Sequence, residues 1–186
     1  MKRILISLAM LFAVMNIIAQ EHLSFMGIPI TGSVMGFCQK LRSKGFTLID
    51  VQSDATVFSG KFAGSDATVG VSDDGKNVFG VAVLFAPSGE WNTLVTTYDY
   101  YKRLYTRKYG KPTISEESNP ARSNSNTALM SEVYQGTVEY SSVWKAAGGE
   151  IELSIESSGI YEGIVTIIYR DFQNIKIKTQ KYIEDI

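Results

Sequence analysis

Apolar residues recur along the chain at two spacings, one typical of helices and one typical of strands. Near the start, a helix is predicted over residues 33–44 because apolar side chains recur three and four positions apart. Thr31 or Ser33 fits the cap at its start, and Gly45 fits the left-handed position just past its end. The apolar stripe of this helix consists of Val34, Phe37, Cys38 and Leu41.

A short extended segment over residues 23–30 precedes this helix, and a series of strands follows it. Alternating and β-branched runs predict strands near residues 46–52, 57–63, 67–72 and 77–86. Asp74-Gly75 supplies the turn of a hairpin between the last two.

The longest helix is predicted over residues 91–109, where aromatic and aliphatic residues recur at helical spacing until Gly110 and Pro112 stop it. The stretch 115–126 is rich in Ser, Asn and Glu and has almost nothing to bury. We therefore expect an exposed loop there, followed by a short helix over residues 128–134.

A three-stranded antiparallel meander is predicted next, with turns at Gly148-Gly149 and at residues 157–159. Counting from these turns pairs Trp144 with Leu153 and Leu153 with Gly163 on one buried face. The glycine would then leave room beside the indole.

The last segment and the composition complete the expected fold. Residues 172–186 fit a helical stripe, although residues 175–178 also alternate like a strand. With 45% hydrophobic residues the chain can bury a core. The sequence predicts a single α+β domain over residues 20–186, in which antiparallel sheets of about seven strands pack with an N-terminal helix, a long central helix and a C-terminal helix.

The first 19 residues have the pattern of a secretory signal. Lys2 and Arg3 precede an apolar run over residues 4–19, which is shorter than the roughly 20 residues that span a bilayer as a helix. We expect a signal peptide over residues 1–19, with an uncleaved anchor as the alternative. After cleavage no membrane span is expected, and the protein is expected to be periplasmic, on the outer surface or extracellular.

Charge limits the choice of partners. The formal net charge is −1, and it becomes −3 without Lys2 and Arg3. Nonspecific binding to nucleic acid needs clustered positive charge at the phosphates. The sequence therefore argues against a nucleic-acid partner.

The residues of the common catalytic sites are scarce in this chain. The only histidine, His22, lies beside the expected cleavage site, so a Ser-His-Asp or Cys-His arrangement would depend on a flexible terminus. The only cysteine, Cys38, lies on an apolar stripe and is typical of a core thiol. One His and one Cys do not make the usual zinc site. We therefore assign no catalytic residue, no metal and no cofactor.

Two weaker patterns have ordinary explanations. Three carboxylates, Glu150, Glu152 and Glu156, project from one strand face and resemble the paired acid and base of a glycosidase. Their alternation with apolar residues is typical of any half-solvated strand. Tyr98 and Lys102 have the Y-x-x-x-K spacing of short-chain dehydrogenases, yet no G-x-G-x-x-G supplies a nucleotide site.

The most informative surface feature is the basic, aromatic side of the helix over residues 91–109. Aromatic rings interleaved with cations suit contact with a sugar or an acidic partner. The alternative is an amphipathic helix whose basic last turn offsets the helix dipole. The residues proposed for binding are Tyr100, Arg103, Arg107 and Lys108, with the loop 115–126 sharing their surface.

Two short motifs carry a resemblance to a known group of proteins. These are F-M-G-I-P-I-T-G at residues 25–32 and K-Y-G-K-P at residues 108–112. They resemble small secreted proteins of Bacteroidetes bacteria, mostly without assigned activity. Because the motifs are turns, caps and core aromatics, the resemblance implies an envelope location and transfers no catalytic residue.

The sequence thus favours an exported, noncatalytic binding or accessory protein of the cell envelope, whose partner is an unidentified envelope protein or glycan. One alternative is a histidine-independent, carboxylate-based enzyme acting on glycans. Another is a structural envelope protein that oligomerises through a sheet edge.

Overall fold

The computed structural model describes residues 21–119 and 124–184, apart from the side chains of 181 and 182. The helices are α1 (Val34–Ser43), α2 (Trp91–Tyr109), α3 (Asn126–Gln135) and α4 (Phe172–Glu184). The strands are β1 (Ser24–Phe25), β2 (Ile28–Pro29), β3 (Thr47–Val51), β4 (Ala55–Phe62), β5 (Ser65–Asp73), β6 (Val78–Leu84), β7 (Ile114–Ser118), β8 (Glu139–Ala146), β9 (Gly149–Gly159) and β10 (Glu162–Asp171). The expected signal peptide lies outside the described residues.

The strands form one antiparallel sheet of eight, in the order β3-β4-β5-β6-β10-β9-β8-β7, and a separate hairpin of β1 and β2. The predicted α+β class and the three predicted helices at the start, centre and end are confirmed. The centre of the sheet joins the first four strands to the C-terminal meander, because β6 pairs with β10.

Side chains alternate between a covered and a more open face of this sheet. On the covered face, α1, α2, α3 and the β1–β2 hairpin bury their apolar side chains in one continuous core. Cys38 belongs to this core, as its apolar stripe predicted. On the open face, Arg170 lies 3.3 Å from Glu150 and 2.6 Å from Glu152, so these carboxylates share one cation.

Local signals fix the helix ends where the sequence placed them. The Ser33 hydroxyl caps α1 by accepting from the Gly36 backbone N–H at 3.2 Å. Gly45, just past the end of α1, has a φ of +91° that favours glycine. Helix α2 spans the predicted residues and ends before Gly110, whose φ is +85°.

The meander is present, but its predicted register is wrong. Trp144 pairs with Ile151, two residues from the predicted partner, and Leu153 pairs with Ile167. The turns fall at residues 147–148 and 160–161, so both pairings slide by an even number of residues and the buried face is unchanged. Gly163 leaves room for Leu94 and Val133 instead of the indole.

The predicted exposed loop is partly a strand. β7 pairs with β8 at the edge of the sheet, although every one of its side chains is exposed. Residues 120–123 lie outside the described residues, and α3 begins at Asn126. A strand without a buried face has no apolar alternation, so the sequence pattern could not reveal it.

A buried carboxylate anchors the N-terminal segment, which the sequence analysis treated as flexible. Asp171, fully buried at the end of β10, accepts from the Leu23 N–H at 2.8 Å and lies 3.1 Å from His22 Nδ1. It also accepts from the Asn174 N–H at 3.0 Å in the first turn of α4. The Asn174 side chain donates to the carbonyls of Ile30 at 2.8 Å and Val78 at 2.9 Å. The expectation of a flexible His22 is therefore wrong.

None of the helices in the described residues combines the length and the apolar character that a membrane span requires.

We predict that Asp171→Ala lowers the free energy of unfolding by about 3 kcal/mol, because three donors around a buried charge lose their acceptor. Urea unfolding followed by circular dichroism measures this change. Asp66→Ala is the matched control, since Asp66 is 87% exposed and its one ion pair among the described residues is with Lys61. It should change stability by less than about 0.5 kcal/mol, and equal losses in both variants would contradict the anchor.

We also predict that Gly163→Ala destabilises the fold by about 1–2 kcal/mol. Its Cβ would lie 2.6 Å from Leu94 Cδ1 and 3.2 Å from Val133 Cγ1 on the covered face. Gly70→Ala, in a neighbouring part of the same sheet, would place its Cβ where nothing lies within 4 Å. Thermal unfolding of both variants should show a loss for the first and none for the second. The crowding argument fails if Gly163→Ala is neutral.

Candidate functional site

An apolar cleft of about 170 Å³ opens between α2 and the β1–β2 hairpin. We call it the tyrosine cleft, because three tyrosines from α2 and β10 line it. Its lining residues are Met26, Phe62, Ala63, Tyr101, Leu104, Tyr105, Lys108 and Tyr169. Ligand pockets for small molecules usually exceed about 300 Å³, so this cleft suits one side chain of a partner better than a cofactor.

The floor of the tyrosine cleft is an aromatic cluster that belongs to the core. Phe62 stacks on Phe25 at a centroid distance of 5.5 Å, and Tyr101 stacks on Phe85 at 4.3 Å. The Tyr101 hydroxyl donates to the Phe62 carbonyl at 3.3 Å. These contacts hold the rings in fixed positions, so the cleft keeps its shape without a ligand.

Two floor tyrosines share a buried hydrogen bond. The hydroxyls of Tyr105 and Tyr169 are bonded to each other, and both residues are almost fully buried. Burial raises the pKa of each phenol above its ordinary value of 10, and the neighbouring Tyr169 raises that of Tyr105 further. Both phenols are therefore neutral near pH 7 and act as hydrogen-bonding core residues.

Two tight turns form the rim of the tyrosine cleft opposite α2. Met26-Gly27 joins β1 to β2, and Ala63-Gly64 joins β4 to β5. The φ angles of Met26 and Ala63 are +50° and +48°, in the left-handed region that favours Gly, Asn or Asp. In the described part of the chain, the non-glycine residues with a positive φ are Met26, Ala63 and Tyr161. Met26 and Ala63 both line this cleft.

All four residues proposed for binding lie exposed on α2, but they do not contribute equally to the tyrosine cleft. Lys108 lines it, with its ammonium 4.8 Å from the Tyr109 ring centroid. Tyr100 is 41% exposed and meets Tyr101 edge-on at a centroid distance of 5.0 Å. The helix places Tyr100, Leu104 and Lys108 in one row along the cleft, since residues four apart are neighbours.

Arg103 and Arg107 form the next row of α2, farther from the tyrosine cleft. Neither makes an ion pair or a hydrogen bond with any residue in 21–119 or 124–184. The surface beside the cleft therefore carries uncompensated positive charge, although the whole chain has a net charge of −1.

The segment 115–118 does lie beside α2, but on the other side of the helix. Lys102 donates to the Ser115 hydroxyl at 2.8 Å and pairs with Glu117. Lys102 and Leu104 point in nearly opposite directions, because residues two apart on a helix do not share a face. The tyrosine cleft and β7 thus flank α2 from opposite sides.

The residues of the other candidate catalytic and metal sites make ordinary structural contacts. Tyr98 is fully buried, and its hydroxyl lies 2.7 Å from the Ser142 hydroxyl. Burial raises the pKa of Tyr98, whereas a dehydrogenase tyrosine needs a lowered pKa. His22 Nε2 contacts no nucleophile among the described residues. Within residues 21–119 and 124–184, no three His, Cys, Asp or Glu side chains converge as a metal site would require.

Sequence reasoning missed most of the tyrosine cleft. It identified Lys108 but not Met26, Phe62, Ala63 and Tyr169, which come from distant parts of the chain. The available signals were the four-residue spacing of Tyr100, Leu104 and Lys108 and the Met-Gly and Ala-Gly turns, none of which indicates that the parts meet.

The fold and the cleft define a single-domain α+β protein with an eight-stranded antiparallel sheet, covered on one face by helices. A comparison of the chain with protein families, with curated proteins and with solved structures found no match.

We predict that stability falls above about pH 10 in a way that depends on the floor tyrosines. The unfolded chain loses phenolic protons near that pH, whereas folded Tyr105 and Tyr169 keep theirs because their pKa values are raised. Their contribution is complete below about pH 10 and is lost as the pH rises further, by about 1.4 kcal/mol per pH unit for each tyrosine.

The measurement is urea unfolding between about pH 9 and about pH 11. Tyr169→Phe should reduce the slope of the unfolding free energy against pH by about 1.4 kcal/mol per pH unit relative to the unmodified protein, which corresponds to one proton. Identical slopes would contradict the buried, neutral state of Tyr169.

Proposed function

We propose that the protein is an exported, noncatalytic binding or accessory protein of the cell envelope, which contacts its partner through α2 and the tyrosine cleft. The observation that carries the proposal is the coincidence of a preformed apolar cleft with a row of cations. Lys108 lines the cleft, and Arg103 and Arg107 beside it have no ion-pair partner among the described residues. Export is supported by the charged start and apolar run over residues 1–19.

The arrangement matches the anatomy of a protein-binding surface. Interfaces are enriched in Tyr, Met and Arg, with an apolar centre and a polar rim. Here Tyr101, Tyr105 and Met26 form the centre, and the cations of α2 form the rim. Unpaired cations raise the association rate with an acidic partner more than they raise its affinity.

The alternative of a carboxylate-based glycan enzyme finds less support in the geometry. Glu150 and Glu152 both pair with the same cation, Arg170, at 3.3 and 2.6 Å. None of the described residues that line the tyrosine cleft is a carboxylate. A glycosidase needs an acid and a base on opposite sides of the scissile bond.

We predict that the double charge reversal Arg103→Glu and Arg107→Glu lowers capture of an envelope partner about tenfold or more, because rim cations would become repulsive to an acidic surface. The measurement is quantitative crosslinking of the purified protein to an envelope extract. Lys40→Glu with Lys44→Glu is the matched control, since these exposed residues have the same four-residue spacing at the end of α1.

Two results would count against the proposal. Equal capture by all variants, or equal loss in both double variants, would exclude a specific role of this surface. Glycan hydrolysis by the unmodified protein that disappears in a Glu150→Gln, Glu152→Gln variant would support the enzyme instead.

A further inference from the structure

We infer that the tyrosine cleft receives a bulky apolar side chain, of the size of phenylalanine, from an acidic segment of a partner protein, and that Met26 is the residue that determines its fit. This inference rests on the proposed function and identifies the class of ligand for the same site.

Volume and lining select the kind of side chain. A cleft of about 170 Å³ is large enough for one aromatic or large aliphatic group. Its floor consists of the rings of Phe62, Tyr101, Tyr105 and Tyr169, so an inserted ring would gain edge or offset contacts beyond simple burial. The floor phenols are already bonded, to each other in one case and to the Phe62 carbonyl in the other, so they call for no polar partner inside the cleft.

Charge selects the residues on either side of that group. Lys108 stands at the cleft, and Arg103 and Arg107 lie one helical row away without a carboxylate partner in the described residues. Carboxylates flanking the inserted side chain would meet these cations, and Arg would offer them bidentate bonds. A basic or neutral segment would leave the cations uncompensated.

Met26 is singled out by its backbone as much as by its position. A non-glycine residue in the left-handed region is unfavourable, and Gly or Asn would occupy this turn position more easily. The thioether of Met26 nevertheless lines the cleft and packs against the core. Methionine has three rotatable bonds and a polarisable sulfur, which lets it adjust to the shape of an inserted group.

The experiment uses three acetylated and amidated peptides as probes: Glu-Glu-Phe-Glu, the same peptide with Ala in place of Phe, and Lys-Lys-Phe-Lys. Binding to the full protein is followed by amide chemical shifts. We expect the first peptide to bind at least about tenfold more tightly than the other two, with shifts on α2 and around Met26.

Met26→Gly separates binding from folding. It relieves the backbone at residue 26, which offsets part of the packing lost with the side chain, so the fold should be retained. It also removes the cleft wall and should weaken the first peptide about tenfold. Tyr161→Gly is the matched control, because it relieves a φ of +55° in the β9–β10 turn, at a residue that does not line the cleft. It should keep the affinity of the unmodified protein.

Equal binding of the Phe and Ala peptides, shifts on another surface, or full affinity of Met26→Gly would each overturn the inference. If the peptides do not bind while the Arg103 and Arg107 reversal still abolishes partner capture, the ligand class is wrong and the proposed surface is right. If both experiments fail, the proposed function falls as well.

Discussion

The position of the tyrosine cleft depends on the buried carboxylate of Asp171. This group holds Leu23 and His22 at the end of β10, and Asn174 in the next turn ties Ile30 to the end of the sheet. The β1–β2 hairpin lies between these two attachment points, so its freedom to move away from the sheet is small. Phe25 of that hairpin packs on both Phe62 and Tyr169, at centroid distances of 5.5 and 5.2 Å. The rim residue Met26 follows Phe25 directly. The wall of the cleft is therefore held in place by Asp171, which binds the backbone just before β1. A buried charge is costly unless it is fully bonded, and here backbone and side-chain donors together satisfy it.

The distribution of ion pairs explains why one surface stands out. Arg170 pairs with Glu150 and Glu152 on the open face, and Lys102 pairs with Glu117 beside β7. Exposed pairs of this kind contribute little to stability, typically about 0–1 kcal/mol, but they reduce the local charge. The cations on the outer side of α2 have no such partner in the described residues. Positive charge next to an apolar cleft therefore remains, on a chain whose net charge is −1.

The sequence predicted the elements far better than their meeting points. The ends of α2 followed from periodicity and from Gly110, and the cap of α1 followed from Ser33, because these signals act within a few residues. The register of the meander was wrong by two residues between β8 and β9 and by four between β9 and β10. Alternation constrains which face a side chain takes but not which even-numbered shift the turn selects. The sequence did not predict β7, because an edge strand whose side chains are all exposed has no apolar period. Lys108 could be proposed as a binding residue from α2 alone, whereas Phe62 and Tyr169 enter the site only through long-range packing.

A rigid floor and an adaptable rim follow from which residues are hydrogen-bonded. Tyr101, Tyr105 and Tyr169 are fixed by their hydroxyls and by surrounding rings, so they lose little freedom when a ligand arrives. Met26, Leu104 and Lys108 make no side-chain hydrogen bond within the described residues, and their side chains have several rotatable bonds. When a side chain inserts, the centre of such a site loses little conformational entropy, because its rings are already fixed. The flexible side chains lie at the rim. The geometry of the cleft therefore agrees with recognition, with Met26 as the part of the rim that can adjust to what is recognised.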